Sequence, residues 1–125
     1  MTTSPGSIHH IEYYVNDLTR SRDFWSWFLR RFNYSEYQKW DQGQSWRHES
    51  GAYIVIVQVE KEHLTFVNNR QAQGLNHLAL WGSPDEDLKL LSTQLEQHGA
   101  EVLKVDDTHI CFETADNIVV EVFIE

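Results

Sequence analysis

The sequence predicts an α+β fold made of two tandem βαβββ modules within a single domain. Its 125 residues suit one domain better than two independent cores of about 60 residues each. A hydrophobic share of 41% is enough to build a core and excludes a disordered chain. The same succession of patterns, a strand, a helix and three strands, occurs twice along the chain. We therefore expect module one at 8–60, a linker at 61–73 and module two at 74–125, within one domain spanning 1–125.

Module one opens on a strand, because Ile11, Tyr13 and Val15 alternate with more polar side chains. Aromatic residues then recur at spacings of three and four, which is typical of the buried face of an amphipathic helix. Three β-like runs follow, and turn-forming residues separate them. The predicted elements are a strand at 8–15, a helix at 18–32 and strands at 34–40, 45–49 and 53–59.

Module two repeats this order, and its helix carries a start signal. Ser83, Pro84 and Glu86 combine an N-cap serine, a proline at the first helical position and a capping-box glutamate. Gly99 supplies a left-handed stop. The predicted elements are a strand at 75–81, a helix at 83–98 and strands at 101–105, 109–114 and 118–124.

Charge and composition exclude several classes of partner. Ten Lys and Arg against nineteen Asp and Glu give a net charge of −9, and such a surface repels phosphate backbones and anionic lipids. We therefore expect neither a nucleic acid nor a membrane partner. No apolar run approaches the length of about 18 residues that a membrane span needs, and residues 1–7 lack the features of a signal peptide. A single cysteine, Cys111, fits a reducing compartment, so we expect a cytoplasmic protein.

Chemically versatile side chains are predicted to share one face of each sheet, because alternate residues of a strand point to the same side. In module one this face holds His10, Glu12, Tyr14 and Gln58, and in module two it holds His77, Trp81, Glu121 and Phe123. The two opening histidines correspond, and aligning the closing strands makes Gln58 the counterpart of Glu121. If the modules face each other, His10, His77 and Glu121 converge as two imidazoles and a carboxylate, a set that suits a divalent metal with open positions.

The segments HIEYYVND at 10–17 and GLNHLA at 74–79, with Glu121 near the end of the last strand, resemble the vicinal oxygen chelate superfamily. This group includes glyoxalase I, the fosfomycin-resistance and bleomycin-resistance proteins and the extradiol dioxygenases. The resemblance implies that the modules form a cup-shaped, open mixed β-barrel with the helices outside. It also implies that His10, His77 and Glu121 bind a divalent metal ion, such as Zn, Fe, Mn or Ni.

The implied activity is that of a small metal-dependent lyase, isomerase or dioxygenase acting on a small oxygen-bearing organic substrate. The metal would act as a Lewis acid that stabilises an oxyanion. Glu121 and Glu12 are the candidate proton acceptors. Gln58 occupies the fourth ligand position, where its neutral amide cannot accept a proton and either coordinates weakly or contacts substrate. The other candidate substrate-binding residues are Tyr14, Trp81 and Phe123.

The sequence leaves alternatives open for individual residues and for the function. The proposed ligands can be ordinary polar residues satisfied by hydrogen bonds, and Glu12 can be a solvated carboxylate. His109 lies on an uncertain strand face. A metal-free, ligand-sequestering protein of the bleomycin-resistance type is the alternative function, and it allows a homodimer. The net charge of −9 and the five tryptophans favour a flat or cationic ligand for such a protein.

Overall fold

The computed structural model describes residues 4–125, which form two compact units. The first unit ends at Leu64, and the second is Thr65–Glu125. Each unit contains one α-helix and one four-stranded mixed sheet, so the predicted α+β class and the twofold βαβββ order are confirmed. The assignment of both modules to a single domain with the boundaries given above stays a prediction.

The first unit has the strand order β1-β4-β3-β2, with β1 parallel to β4 and the other pairs antiparallel. A short 3-10 helix, Lys61–His63, follows the sheet. The elements of this unit are β1 (His10–Val15), α1 (Leu18–Arg30), β2 (Tyr34–Trp40), β3 (Gly43–His48) and β4 (Tyr53–Gln58).

The second unit repeats this topology as β5-β8-β7-β6, with β5 parallel to β8. Its elements are β5 (Leu78–Trp81), α2 (Leu88–Gln97), β6 (Glu101–Val105), β7 (His109–Glu113) and β8 (Val119–Phe123). Within residues 4–125, no helix is long and apolar enough to cross a membrane.

Both helices begin at an aspartate whose side chain accepts a backbone N–H of the first turn. Asp17 accepts from Arg20 at 3.1 Å, and Asp87 accepts from Leu90 at 3.0 Å. The predicted N-cap at Ser83 is therefore wrong. Its hydroxyl accepts the Asp85 N–H in a separate turn, 83–86, whereas the Asp87 carboxylate caps α2 itself. The predicted stop at Gly99 is confirmed by its positive φ of 88°.

The two units fill their cores differently. In the first, aromatic side chains dominate, with Trp25 and Phe28 of α1 fully buried and Trp46 of β3 only 1% exposed. The indole N–H of Trp46 donates to the Ser26 hydroxyl at 3.2 Å, which fastens the sheet to α1. The second core is mostly aliphatic, and its fully buried members include Leu91, Leu95, Ile110, Val120 and Val122.

Strand register decides which side chains share a face, and it contradicts the prediction for Gln58. In the parallel pair β1 and β4, Gln58 lies opposite Val15, so it belongs to the face of Tyr13 and Val15 that packs under α1. The prediction placed it on the face of His10 instead. Aligning the two closing strands by sequence caused this error, because that alignment shifts β4 against β8 by three positions.

The register identifies Val55 as the true counterpart of Glu121. Val55 lies opposite Glu12 on β1, just as Glu121 lies opposite Ala79 on β5. The first unit therefore has no carboxylate at this position, and Val55 is only 3% exposed.

Candidate functional site

A histidine and a glutamate of the second unit form the centre of the candidate site. His77 immediately precedes β5, and its Nε2 lies 2.7 Å from Oε2 of Glu121 on β8. The His77 side chain is 40% exposed and the Glu121 side chain 15% exposed, so solvent reaches the pair. The predicted partnership of these two residues is therefore seen in the structure as a direct contact.

A second histidine, His109, contacts the other oxygen of the same carboxylate. Its Nε2 forms a short hydrogen bond with Oε1 of Glu121, and its ring packs against Phe123 at 4.4 Å between centroids. The sequence left the face of His109 undecided. The antiparallel register of β7 and β8 settles it, because His109 lies opposite Phe123 and two residues later Cys111 lies opposite Glu121.

Asn76 fixes the orientation of the His77 ring. The Asn76 amide nitrogen donates to the Arg70 carbonyl at 3.4 Å, and its amide oxygen lies 2.7 Å from Nδ1 of His77. Because the amide nitrogen must face a carbonyl oxygen, the amide oxygen faces the imidazole and can only accept. Nδ1 of His77 therefore carries a proton.

The His77 and Glu121 pair fits a divalent metal by the chemistry of its donors. With Nδ1 bonded to Asn76, the ring nitrogen that His77 presents to the carboxylate is Nε2. Two acceptors at 2.7 Å need a proton or a cation between them. Imidazole nitrogen and carboxylate oxygen are ligands that zinc and related transition metals take.

The corresponding histidine of the first unit is His10 at the start of β1. Its ring stacks on Tyr53 with centroids 4.8 Å apart and planes 7° apart, and its Nδ1 lies 2.9 Å from Nδ1 of His9. Nε2 is the ring nitrogen outside this hydrogen bond. His10 and Glu12 are both exposed, and they occupy the same face of β1.

The Gln58 amide is used to join β4 to the start of α1. Its Oε1 accepts the Leu18 backbone N–H at 2.9 Å, and its Nε2 donates to the Asn16 carbonyl at 3.0 Å. These bonds satisfy a free N–H at the beginning of α1 and fix the β1–α1 connection. Gln58 is thus a structural residue of the first unit in this geometry, not a counterpart of Glu121.

Comparison with known families finds a match that extends over both units. The profile of the Glyoxalase/Bleomycin resistance protein/Dioxygenase superfamily matches residues 9–119. The chain belongs to this superfamily. The vicinal oxygen chelate assignment from sequence is therefore confirmed.

Individual relatives extend this result. The chain is 42% identical to the uncharacterized protein YqjT of Bacillus subtilis (strain 168) over 99 residues, 79% of this chain and 77% of that protein. A crystal structure from Bacillus halodurans, provisionally assigned as a glyoxalase, is 31% identical with a TM-score of 0.86 and 97% of each chain covered. A variant of the fosfomycin resistance protein FosX from Listeria monocytogenes, complexed with Mn(II) and 1S,2S-dihydroxypropylphosphonic acid, shares the fold at 20% identity. Its TM-score is 0.69, with 97% of this chain and 93% of that chain covered.

Exposed aromatic residues lie on the same strands as the candidate site residues in each unit of this chain. Tyr14, two residues beyond Glu12 on β1, is 69% exposed. Trp81 and Phe123 lie opposite each other on β5 and β8 and are 70% and 39% exposed. Their rings are therefore accessible to a small organic ligand.

Cys111 lies directly opposite Glu121 and is half-buried. Burial raises the pKa of its thiol, and the negative charge of Glu121 raises it further. The thiol therefore stays protonated near neutral pH, as expected of a packing residue and not of a nucleophile.

A second group of ligand-type side chains lies around the 3-10 helix of the first unit. Glu60, Glu62 and His63 each bring one candidate ligand atom within 4.8 Å of the others, and all three residues are exposed. Exposed acidic side chains gather in this way without a bound ion, so this cluster is not assigned a function.

Proposed function

We propose that this member of the superfamily is a small metal-dependent enzyme that acts on an oxygen-bearing organic substrate. His10, His77 and Glu121 are the proposed ligands of a divalent ion. The observation that carries the proposal is the 2.7 Å contact between Nε2 of His77 and Oε2 of Glu121, in which the Asn76 hydrogen bond turns that ring nitrogen towards the carboxylate. A proton on Nε2 also satisfies this contact, and the proposed ion takes the place of that proton.

Each ligand offers a specific atom. His77 contributes Nε2 because its Nδ1 is bonded to Asn76, and His10 contributes Nε2 because its Nδ1 is bonded to His9. Glu121 contributes Oε2, since Oε1 is bonded to His109. When bound, a divalent ion supplies Lewis acidity that stabilises negative charge developing on a substrate oxygen.

Glu12 is the proposed proton acceptor of the reaction. Both carboxylate oxygens of Glu121, the other candidate, already contact an imidazole. Glu12 is exposed on the same face as His10 and keeps its carboxylate available to a substrate. Tyr14, Trp81 and Phe123 are the proposed substrate contacts, because they are exposed and flank the proposed ligands on their strands.

Manganese is the first ion to test, because FosX from Listeria monocytogenes was crystallised with Mn(II). Protein purified without chelators would be assayed for Zn, Fe, Mn and Ni by elemental analysis, and apo protein would then be titrated with Mn(II) and Zn(II). We expect one ion per chain in the wild type. The variants His10→Ala, His77→Ala and Glu121→Ala should each bind at least tenfold more weakly.

The control for these variants is His98→Ala, which removes an exposed histidine at the end of α2. It should bind metal as the wild type does. Substoichiometric metal in the wild type, or equal affinity in the ligand variants and the control, would contradict the proposal.

The alternative is a metal-free protein that sequesters a ligand, as expected of the bleomycin-resistance type. The exposures of 69% for Tyr14 and 70% for Trp81, with the net charge of −9, favour this reading for flat cationic ligands. It predicts no stoichiometric metal, and a flat aromatic cation should quench tryptophan fluorescence and raise the melting temperature. Light scattering would test the homodimer that this alternative allows.

A further inference from the structure

We infer that Asn76 and His109 are positioning residues that select which atoms of His77 and Glu121 are offered to the metal. Asn76 holds the proton on Nδ1 of His77, and His109 occupies Oε1 of Glu121. The donor pair left for an ion is Nε2 of His77 with Oε2 of Glu121. The inference rests on the proposed function and deepens it.

The Asn76 side chain is held at both ends. Its amide nitrogen donates to the Arg70 carbonyl at 3.4 Å, while its oxygen accepts from Nδ1 of His77 at 2.7 Å. Reversing the amide would set its nitrogen against the imidazole N–H and its oxygen against a carbonyl. Both contacts would then be repulsive, so a single amide orientation and a single protonated ring nitrogen are favoured.

The Arg70 carbonyl is itself anchored by the loop that precedes Asn76. The Asn69 side chain accepts the Gln71 backbone N–H at 2.9 Å, and the Asn69 carbonyl accepts from Ala72 at 3.0 Å. The side chain of Asn68 donates to the Asn117 carbonyl at 2.6 Å, which ties the loop to the turn before β8. The strand that carries Glu121 and the loop that orients His77 are thereby connected.

His109 acts on the carboxylate from the other side. Its side chain is 16% exposed and packs against Phe123, so its ring has little freedom to turn away. By donating Nε2–H to Oε1, it leaves Oε2 as the oxygen facing His77. Residues that orient the ligands of a metal in this way typically change its affinity by about 10 to 100-fold when they are removed.

The test measures Zn(II) affinity by competition with a chromophoric chelator in full-length apo protein. Asn76→Leu removes the hydrogen-bond acceptor for Nδ1 of His77, and Asn76→Asp provides an acceptor there again. Asn69→Asp is the matched control, since it adds the same charge to the same loop and keeps an acceptor for Gln71. His109→Phe removes the donor while keeping an aromatic ring beside Phe123, and His109→Gln restores an N–H donor.

A spectroscopic reading separates positioning from general destabilisation. Long-range ¹⁵N–¹H correlation spectra of the Zn(II)-loaded wild type should show His77 with a protonated Nδ1 and a metal-bound Nε2. Asn76→Leu should lose this single pattern while keeping its melting transition. If Asn76→Leu or His109→Phe does not fold, Asn76→Ala and His109→Leu replace them with the same expected results.

The inference predicts a 10 to 100-fold loss of Zn(II) affinity in Asn76→Leu and His109→Phe. Asn76→Asp, His109→Gln and Asn69→Asp should stay within about threefold of the wild type, well below that range. If the wild type binds Zn(II) through His77 and the two disruptive variants bind equally well, the inference fails and the proposed function stands. If the wild type binds neither Zn(II) nor Mn(II) stoichiometrically, both fail together.

Discussion

The two units share one topology and one register, yet only the second has a carboxylate in its closing parallel strand. At the position where β8 has Glu121, β4 has Val55. At the position where β7 has His109, β3 has Gly43, because these residues lie opposite Phe123 and Val57. The second unit thus has a polar cluster at these positions, while the first uses them for packing.

Packing explains why the first unit cannot hold the same cluster. A Cβ on Gly43 would collide with the Trp40 ring and lie 2.7 Å from the Ile56 carbonyl. Any side chain there, including a histidine, would force the strands apart. Val55 is 3% exposed and its strand partner Ser45 is fully buried, so a carboxylate in place of Val55 would lose its hydration. Sheet geometry alone therefore does not make a site.

The largest effect on stability is expected when a carboxylate is introduced at the corresponding position of the first unit. We expect Val55→Glu to lower the free energy of unfolding by about 3 kcal/mol or more at pH 7, because the charge is buried without a partner. Val57→Glu, on the same face but half-buried, should cost clearly less. Urea denaturation of both variants measures the difference, and equal losses would show that burial of Val55 is not the reason.

A second difference between the units concerns Tyr13, whose counterpart in β5 is Leu80. Burial, and secondarily the charge of Tyr34, raise the pKa of Tyr13 to about 12. The stability from the protonated hydroxyl is fully present below about pH 10 and is lost as the pH rises to about 12, for a total of about 2 to 3 kcal/mol.

The variant Tyr13→Phe isolates this effect. Among the described residues the Tyr13 hydroxyl has no hydrogen-bond partner, so the substitution should cost little at pH 7. Urea denaturation at several pH values from 8 to about 11 should show a smaller alkaline loss of stability in Tyr13→Phe than in the wild type. Parallel losses in both proteins would contradict the assignment.

The third prediction concerns Gln58, which the register removes from the candidate site. Gln58→Leu should destabilise the protein by about 1 to 2 kcal/mol, because the Leu18 N–H and the Asn16 carbonyl lose their partner. Gln58→Glu keeps the acceptor at the start of α1 but sets its second oxygen against the Asn16 carbonyl, so we expect a loss of similar size. Thermal unfolding measures stability, and a Zn(II) titration should show unchanged affinity in both. A large loss of Zn(II) affinity would show that Gln58 belongs to the metal site.

The smallest expected losses of stability come from removing the residues that cap the starts of the two helices. Asp17→Ala and Asp87→Ala should each cost about 1 kcal/mol, since each removes the cap of one helix. Ser83→Ala should cost less than about 0.5 kcal/mol, because Ser83 caps only a separate turn. Chemical denaturation checks the three variants. A loss in Ser83→Ala equal to that in Asp87→Ala would place the start of α2 at the serine.

Local patterns were sufficient to predict the elements of the fold. Alternation in β1, the aromatic face of α1 and the glycine stop at Gly99 are properties of neighbouring residues, and each is confirmed. The start of α2 was wrong because two polar start signals, Ser83 and Asp87, compete there. In the structure the Asp87 carboxylate caps α2, and Ser83 caps only the preceding turn.

The candidate site depended on register, which no local pattern contains. His77 and Glu121 could be paired from the sequence because strand alternation puts both on one face of the second sheet, as the resemblance to the superfamily also implies. Gln58 was misplaced because parallel pairing of β1 with β4 joins residues more than forty positions apart, and one step reverses a side chain's face. His109 needed the antiparallel register of β7 and β8 before its face could be known.

The central claim is that the His77 and Glu121 pair, together with His10, holds a divalent ion. X-ray absorption spectroscopy of protein loaded with one equivalent of Zn(II) tests this most directly. We predict two imidazole ligands at about 2.0 to 2.1 Å in the wild type and one in either His77→Ala or His10→Ala. His98→Ala should be indistinguishable from the wild type. A zinc environment without imidazole, or one that none of these substitutions changes, would contradict the account.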